Sequence, residues 1–452
     1  MRKHGMTSPL LLACLLLGGC AGLSQDGGAN AVSAMTAERT GQTVRAQPAD
    51  DASERDAEVA RLIAQPLMPD TAVRLALLNN RSLQASLAEL RMTEADAVQA
   101  GRLRNPGFHF SRLHGDDTEI DRGILFDLSG LLTLPLRSDI GQRRFQQATL
   151  QTAADVIALA ADTRSAYFKA VAAQQDVAYA ERVLTSAEAG AELAMQMARV
   201  GNWSQLDQAR EQLFLAEARA QLAAARQQSV AAREQLTRLL GLFGTQTAYV
   251  LPDRLPDLPP SVGDMRDVES LAIRQRLDLQ IAKRDAEATA QAWKLTKATG
   301  FVNVFDAGYI NKSETGRTRQ DGYEISFELP IFDWGDARNA KAEAAYMRAV
   351  HRTADIAIHA RSEVRERYAA YRTAYDLAVH YRDEVLPLRK RVSDEMLLRY
   401  NGMLASVFEL LSDAREQAAT VHAAIAAQRD FWLAETALQA SINGGRATAA
   451  ND

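Results

Sequence analysis

The sequence predicts a mainly α-helical chain that carries a membrane β-barrel portion. It reads as long antiparallel helical hairpins plus four β-strands, arranged as an internal twofold repeat. Three observations predict this. Residues 142–199 contain no proline and a single glycine, Gly190. At about 1.5 Å per residue, a helix of roughly 80 Å can form there without a break. Four separate stretches alternate apolar and polar side chains with a period of two, the signature of strands. Finally, the order helix, strand pair, long helices occurs twice. At an offset of 196 positions Ala76, Leu83 and Gln84 meet Ala272, Leu279 and Gln280.

Composition narrows the class. The 452 residues are 24% charged and 47% hydrophobic, with a net charge of −5. Acidic residues outnumber basic ones, which argues against a nucleic-acid partner. Arg389, Lys390 and Arg391 are too short a cluster to change that and read as a solvated helix face. At the start, Arg2, Lys3 and His4 precede an apolar run from Pro9 to Leu17, too short to span a bilayer, and then Leu17-Gly18-Gly19-Cys20. The ending resembles a lipobox, so residues 1–19 are expected to be a signal peptide and Cys20 the site of a covalent lipid. Residue 21 is Ala rather than Asp and lacks the usual inner-membrane retention cue. Cys14 would leave with the leader, so one cysteine remains and no internal disulfide can form. After Cys20 no run of eighteen apolar residues occurs, a test that alternating barrel strands escape.

Residues 20–66 are expected to be a lipidated tether, irregular over 21–50 because Gly, Ala, Ser, Thr and Gln dominate, with a short helix over Ala52–Ala64. The first repeat spans 67–241. Its opening helix is capped by Asp70, carries Val73, Leu75, Ala76, Leu83, Leu87, Leu90 and Val98, and stops before Asn105-Pro106. A β-hairpin over 107–136 follows. One strand, 107–113, places Phe108 and Phe110 opposite His109 and Ser111, and a polar loop covers 114–122. The second strand, 124–136, sets Ile124, Phe126, Leu128, Leu132 and Leu134 against Asp127, Ser129 and Thr133. A tilted strand crossing a bilayer needs ~9–11 residues, and this one suffices. The long helical hairpin fills 142–239, interrupted at Gly201-Asn202. Its many alanines permit close helix approach.

Residues 242–264 form a linker with Pro252, Pro256, Pro259 and Pro260. The second repeat, 265–442, begins with a helix over 267–298. Its β-hairpin, 301–332, has strands 301–311 and 322–332 around a loop at 312–321. Tyr323, Ile325, Phe327, Leu329 and Ile331 oppose Glu324, Ser326 and Glu328. Carboxylates at every second position cannot face lipid, so Glu324 and Glu328, with Asp127 of the first repeat, are expected to face a water-filled lumen. Pro135 and Pro330 are equivalent, followed by Gly141 and Gly335. The second helical hairpin covers 337–441. Pro387 breaks or kinks its first arm, Asn401-Gly402 interrupts it as Gly201-Asn202 does the first, and the last helix runs over 407–441. Residues 443–452 are a tail. Four strands cannot close a barrel, and an open sheet edge in hydrocarbon is forbidden. Copies must therefore share one barrel, and three copies supplying twelve strands are the natural solution.

The segment Glu328-Leu329-Pro330-Ile331-Phe332-Asp333-Trp334-Gly335, with Ala337 and Arg338, is similar to a strand-end signature of the TolC-like outer-membrane efflux protein family. The stretches AVRLALLNNRSLQA at 72–85, RLRNPGF at 102–108 and RYNGMLASVFELLSDAR at 399–415 resemble the same family, and the likeness runs in order from residue 67 to 442. The resemblance implies a homotrimeric duct: a twelve-stranded barrel in the outer membrane continued by an α-barrel across the periplasm. It implies an exit channel of a tripartite efflux pump, passively conducting substrate from a periplasmic adaptor and an inner-membrane transporter. Lipid on Cys20 would anchor it, and no other cofactor is implied. It also implies helix tips that contact the adaptor, at Gly201, Asn202 and Ser204 and at Tyr400, Asn401, Gly402 and Ser406. Acidic residues beyond the tips, Asp207, Glu409 and Asp413, are candidates for a ring at the closed entrance. An acid in the first turn also serves the helix dipole, and that reading stays open, for Asp207 above all. The second tip departs from the family pattern: Tyr400 stands two positions before Gly402, Glu409 seven after it, and no arginine directly follows the glycine.

No histidine pair at helical spacing offers a zinc site. Met195, Met197, Met396 and Met403 lie near the tips and could bind Cu(I), although helical methionines are more often packing residues. Trp334 fits a membrane-interface belt or a buried site equally well. No nucleophile elbow, P-loop or dinucleotide fingerprint is present, so an enzyme reading has no support. Two alternatives to a drug or metal duct remain: a type I protein secretion duct, and a periplasmic coiled-coil scaffold or adaptor.

Overall fold

The structure is a computed structural model and describes residues 22–45, 52–265, 267–299, 304–327 and 331–444. In chain order it has helices α1 (Ala29–Thr40), α2 (Ala52–Ile63), α3 (Pro69–Asn79) and α4 (Arg81–Ala100). Strands β1 (Gly107–His114) and β2 (Thr118–Asp127) follow, then α5 (Leu128–Arg199) and α6 (Gln205–Leu240). The second half repeats the order with α7 (Val268–Gln275), α8 (Leu277–Ala298), β3 (Phe305–Glu314), β4 (Gln320–Phe327) and α9 (Asp336–His380). A π-turn (Tyr381–Val385) leads into α10 (Leu386–Asn401), and α11 (Val407–Asn443) is the last described element. The expected mainly helical fold with four strands is present, and so is the repeat. The expected leader, Cys20, the start of the third expected strand and Glu328 lie outside the described residues.

Two compact units are distinguished. One comprises residues up to 32, 86–152 and 278–357, the other 33–85, 153–277 and 358 onward. In the first, the four strands form one antiparallel meander in the order β1-β2-β3-β4. Below it Trp293 stacks on Tyr346 at 5.8 Å and donates its indole N–H to Asn339 at 2.8 Å. In the second, two apolar cores form. One gathers Leu67, Leu75, Tyr167, Leu236, Leu240 and Tyr249; the other gathers Val364, Tyr371, Phe431 and Leu438. Trp432 packs against both, stacked on Phe168 at 5.2 Å and edge-on to Phe431 at 5.0 Å.

The repeat reaches further than the sequence showed. Each opening helix, expected unbroken, is interrupted at equivalent positions, Asn80 and Arg276, where the backbone turns extended (ψ 120° and 121°). Asn80 then donates its side-chain amide to Leu239 O at 2.9 Å, and Asn79 donates to Gly241 O at 2.6 Å. Arg276 donates to Ser441 O at 2.9 Å and pairs with Glu363 at 2.8 Å. In both repeats the break thus delivers a donor to carbonyls that the last helix leaves unsatisfied at its C-terminus. Gly241 ends α6 with φ +67°, and a Cβ there would lie 2.7 Å from Asn79 O, so both conformation and space require glycine.

Other boundaries shift for local reasons. Residues 128–136 are helical rather than strand. Asp127 ends β2, and its carboxylate accepts from the Ser129 hydroxyl at 2.8 Å and from Gly130 N, an N-terminal cap that turns the chain into α5 with Pro135 inside it. The expected loops at 114–122 and 312–321 shrink to turns, because Glu119, Asp121, Lys312 and Glu314 belong to the ladder. The strand expected over 322–332 ends at Phe327 among the described residues, and 331–332 are outside it. The tether contains α1, with Asp26 accepting from Asn30 N at 2.8 Å. Its buried stripe of Ala29, Val32, Thr36 and Thr40 is too polar and too small to stand out as amphipathic. Asp70 does not cap α3, which starts one residue earlier at Pro69; instead it pairs with Arg164 at 2.9 Å. Pro387 ends no helix. The chain stays helical because the preceding π-turn, with Leu386 N bonded to Tyr381 O, accommodates a residue that cannot donate.

Candidate channel wall and helix tips

The strand registers sort the sheet into two faces. Directly paired residues share a face, so Phe108, Ile124, Tyr309 and Tyr323 form one row across all four strands. Phe126, Ala307 and Ile325 form the next row, and Phe305 with Phe327 the one after. This face is apolar and open, with Tyr323 85% exposed. The opposite face carries Glu119, Asp121, Asp127, Asp306, Glu314 and Glu324, with Lys312 paired to Glu119 and, at 3.7 Å, to Asp121. Glu324 therefore stands on the polar face opposite Gly308. Asp127 stands there too, paired with Asp306, but its carboxylate is engaged in capping α5. Strands β1 and β4 are edges whose outer hydrogen-bonding groups meet no further strand among the described residues.

The helix tips lie in the other unit. At the first, Gly201 has φ +77°; its N–H bonds Ala198 O at 3.1 Å, and Asn202 N bonds Met197 O at 3.0 Å. At the second, Met403 N bonds Tyr400 O at 3.0 Å and Leu404 N bonds Arg399 O at 2.8 Å. The two tips share one C-terminal motif. Its left-handed position is held by Gly201 in the first tip and by Met403 (φ +60°) in the second. Gly402 has φ −80°, so it is not the counterpart of Gly201. Ser204 and Ser406, 202 positions apart like Gly201 and Met403, each cap the following helix. Ser204 accepts from Asp207 N at 3.1 Å, and Ser406 accepts from Glu409 N at 3.2 Å.

The candidate entrance acids separate accordingly. Asp207 receives the Ser204 hydroxyl at 2.7 Å and lies 3.4 Å from Arg210. Glu409 accepts from Ser406 N at 2.7 Å and completes a capping box; that backbone donor holds its carboxyl below the usual range. Both remain at the tip surface. Asp413 does not: it is 7% exposed, bonded to Arg389 and to the Ser393 hydroxyl at 2.6 Å. Its role here is to tie α10 to α11, and Arg389 reaches Glu416 at 2.9 Å as well.

Sequence reasoning missed a second connection. Glu211, 1% exposed, accepts from Arg415 at 2.6 Å, and the Arg415 guanidinium lies 5.2 Å from the Phe214 ring. Arg210 approaches Phe408 at 5.7 Å. These contacts join α6 to α11, the second arms of the two hairpins. No spacing in the sequence pointed to it, since Glu211 stands ten residues past Gly201 and Arg415 twelve past Met403. Met195, Met197 and Met396 lie in the last turns of α5 and α10, while Met403 is 94% exposed.

No family model matches the sequence, and no curated protein does. Solved structures do. CusC, which undergoes conformational changes on folding and transmembrane channel formation, aligns over 83% of this chain and 92% of its own at 18% identity, with a TM-score of 0.68. The outer-membrane channel CmeC of Campylobacter jejuni aligns over 83% and 86% at 15% identity and 0.71. The outer-membrane channel MtrE of Neisseria gonorrhoeae, in its open state, aligns over 83% and 88% at 18% and 0.65. The chain has the TolC-like fold of outer-membrane channel proteins.

Proposed function

We propose that the protein is the outer-membrane exit duct of an efflux system. Three copies close one twelve-stranded barrel, Cys20 carries the lipid anchor, and the helix tips meet a periplasmic adaptor linked to an inner-membrane pump. The observation that carries the reading is the sheet: one face apolar across four strands, the other acidic, and both edges unpaired. Such a sheet is not viable alone in water, where the aromatic face would be exposed, or in lipid, where the edges would be unsatisfied. Closure with further copies solves both problems at once, placing aromatic residues toward lipid and carboxylates toward a lumen. The neighbours of known structure, CmeC and MtrE among them, are outer-membrane channels, which supports the same reading.

The test is cell fractionation with unheated and heated electrophoresis. The full chain should fractionate with outer membranes and migrate as a heat-dissociable trimer. Cys20→Ala should lose incorporation of labelled fatty acid. A monomer recovered from the soluble periplasmic fraction would overturn the duct reading, and undiminished labelling of the variant would overturn the anchor.

A further inference from the structure

The apolar face of the sheet ends in a charged margin. The row Phe108–Ile124–Tyr309–Tyr323 is followed, toward the hairpin turns, by Phe110–Arg122–Asn311–Asp321 and then by Arg112–Ile120–Ser313. Each step is two residues, about 6.6–6.8 Å along a strand. Arg112 and Arg122 are thus diagonal neighbours on the face that carries the aromatic rows, with Cβ atoms about 7–8 Å apart or less. Neither makes an ion pair or side-chain hydrogen bond among the described residues. The other arginines near the hairpin turns are satisfied: Arg317 by Glu314 at 3.1 Å and Arg319 by Asn311 at 2.9 Å.

An arginine on a lipid-facing surface costs ~2–4 kcal/mol at the bilayer midplane and close to nothing at the interface. Tyrosines collect at that interface. The Tyr309–Tyr323 row therefore marks the boundary of the hydrocarbon, and the two arginines lie one and two rows beyond it, at headgroup depth. The turns point away from the long helices, so this is the outer leaflet. Two guanidiniums without acidic partners, on a surface continuous with a lipid-facing one, match a phosphate ester joined to acyl chains. A guanidinium offers paired N–H donors in the geometry a phosphate accepts. Asp321 of a neighbouring copy is the competing partner, but it is already bonded to Asn311 and within 4.0 Å of Arg319.

We propose that Arg112 and Arg122 clamp the phosphate of an outer-leaflet lipid headgroup, with the acyl chains lying on the aromatic rows. The proposal rests on the barrel reading. Its test uses the detergent-purified full chain and bisphosphorylated lipid A, with the same lipid stripped of its phosphates as the control, and native mass spectrometry to count retained lipid. The trimer should retain lipid A over its phosphate-free form. Arg112→Gln/Arg122→Gln should weaken retention roughly tenfold, the lysine pair should restore part of it, and Arg317→Gln should leave it unchanged. Equal retention by wild type and the double glutamine variant, with the trimer intact, would overturn the clamp while leaving the duct reading standing. So would a double variant that loosens the trimer yet keeps its lipid, which would make the arginines intersubunit partners. Displacement of lipid A by millimolar inorganic phosphate would reduce the site to a free-anion site and overturn the lipid assignment. Absence of any trimer would instead count against the barrel.

Discussion

At the residue scale the two tips solve one geometric problem with different residues. A left-handed residue costs roughly 1–2 kcal/mol when it carries a Cβ, and glycine avoids that cost. Gly201 does so; Met403 does not. Met403→Gly should therefore stabilise the chain by about 0.5–1 kcal/mol, read as a higher urea midpoint at unchanged slope. An unchanged midpoint would mean the strain is compensated elsewhere. The acids nearby behave differently from one another. Asp413→Ala removes the buried acceptor of Arg389 and Ser393, although Arg389 keeps Glu416, and should cost about 1–3 kcal/mol, whereas Glu409→Ala removes only the exposed half of a capping box and should cost less. Conductance changes in an Asp413 variant would thus mix packing with pore charge, and Glu409→Gln is the cleaner probe of an entrance ring. The Glu409 carboxyl titrates lower when folded because Ser406 N donates to it. Its capping contribution is complete above the ordinary glutamate range and is lost as pH falls through the lowered folded value. Thermal melts of wild type and Glu409→Gln should accordingly converge in acid and separate toward neutrality.

At the element scale, the breaks at Asn80 and Arg276 show why helix boundaries were only partly legible. Leu75, Leu83, Leu87 and Leu90 keep helical spacing across Asn80, so periodicity alone predicts one helix. The break is specified by what lies opposite: the carbonyl ends of α6 and α11, which need donors. Arg276→Ala would leave Ser441 O without that donor and Glu363 without its ion partner. It should destabilise the chain by about 2–4 kcal/mol, checked by chemical denaturation. Arg276→Lys should recover only part, because one ammonium cannot reproduce the reach of the guanidinium fork. The strand-to-helix junction at Asp127 has the same lesson. The alternation from Ile124 onward continues into Leu128, Leu132 and Leu134, and it is the cap at Asp127 that overrules it.

At the scale of the whole molecule, the sheet makes the strongest demand. Each chain supplies two edges and one aromatic face, and an oligomer must cover them. An arginine placed at Ile325, on the second aromatic row and one row inside the hydrocarbon boundary, should cost about 1–3 kcal/mol per copy, a loss repeated in every copy. Ile325→Arg should abolish the heat-dissociable oligomer and recovery with outer membranes. Ser326→Arg, one residue away on the polar face, should leave both intact. Equal behaviour of the two variants would mean that the faces do not separate lipid from water.

The sequence by itself determined the twofold repeat, the long hairpins, and the existence of four strands with the faces taken by residues such as Phe108, Ile124, Asp127, Tyr323 and Glu324, but not where the strands end. These follow from periodicities of two and 3.6 that are local to the chain. It also determined that four strands leave an unclosed sheet. Only the tertiary structure decided that Met403, rather than Gly402, is the counterpart of Gly201, because chain reversal is fixed by which amide meets which carbonyl. It likewise decided that Asp413 is sealed against Arg389 and that Glu211 meets Arg415. Those pairings join residues from different helices, and no spacing along one helix encodes which charges will meet.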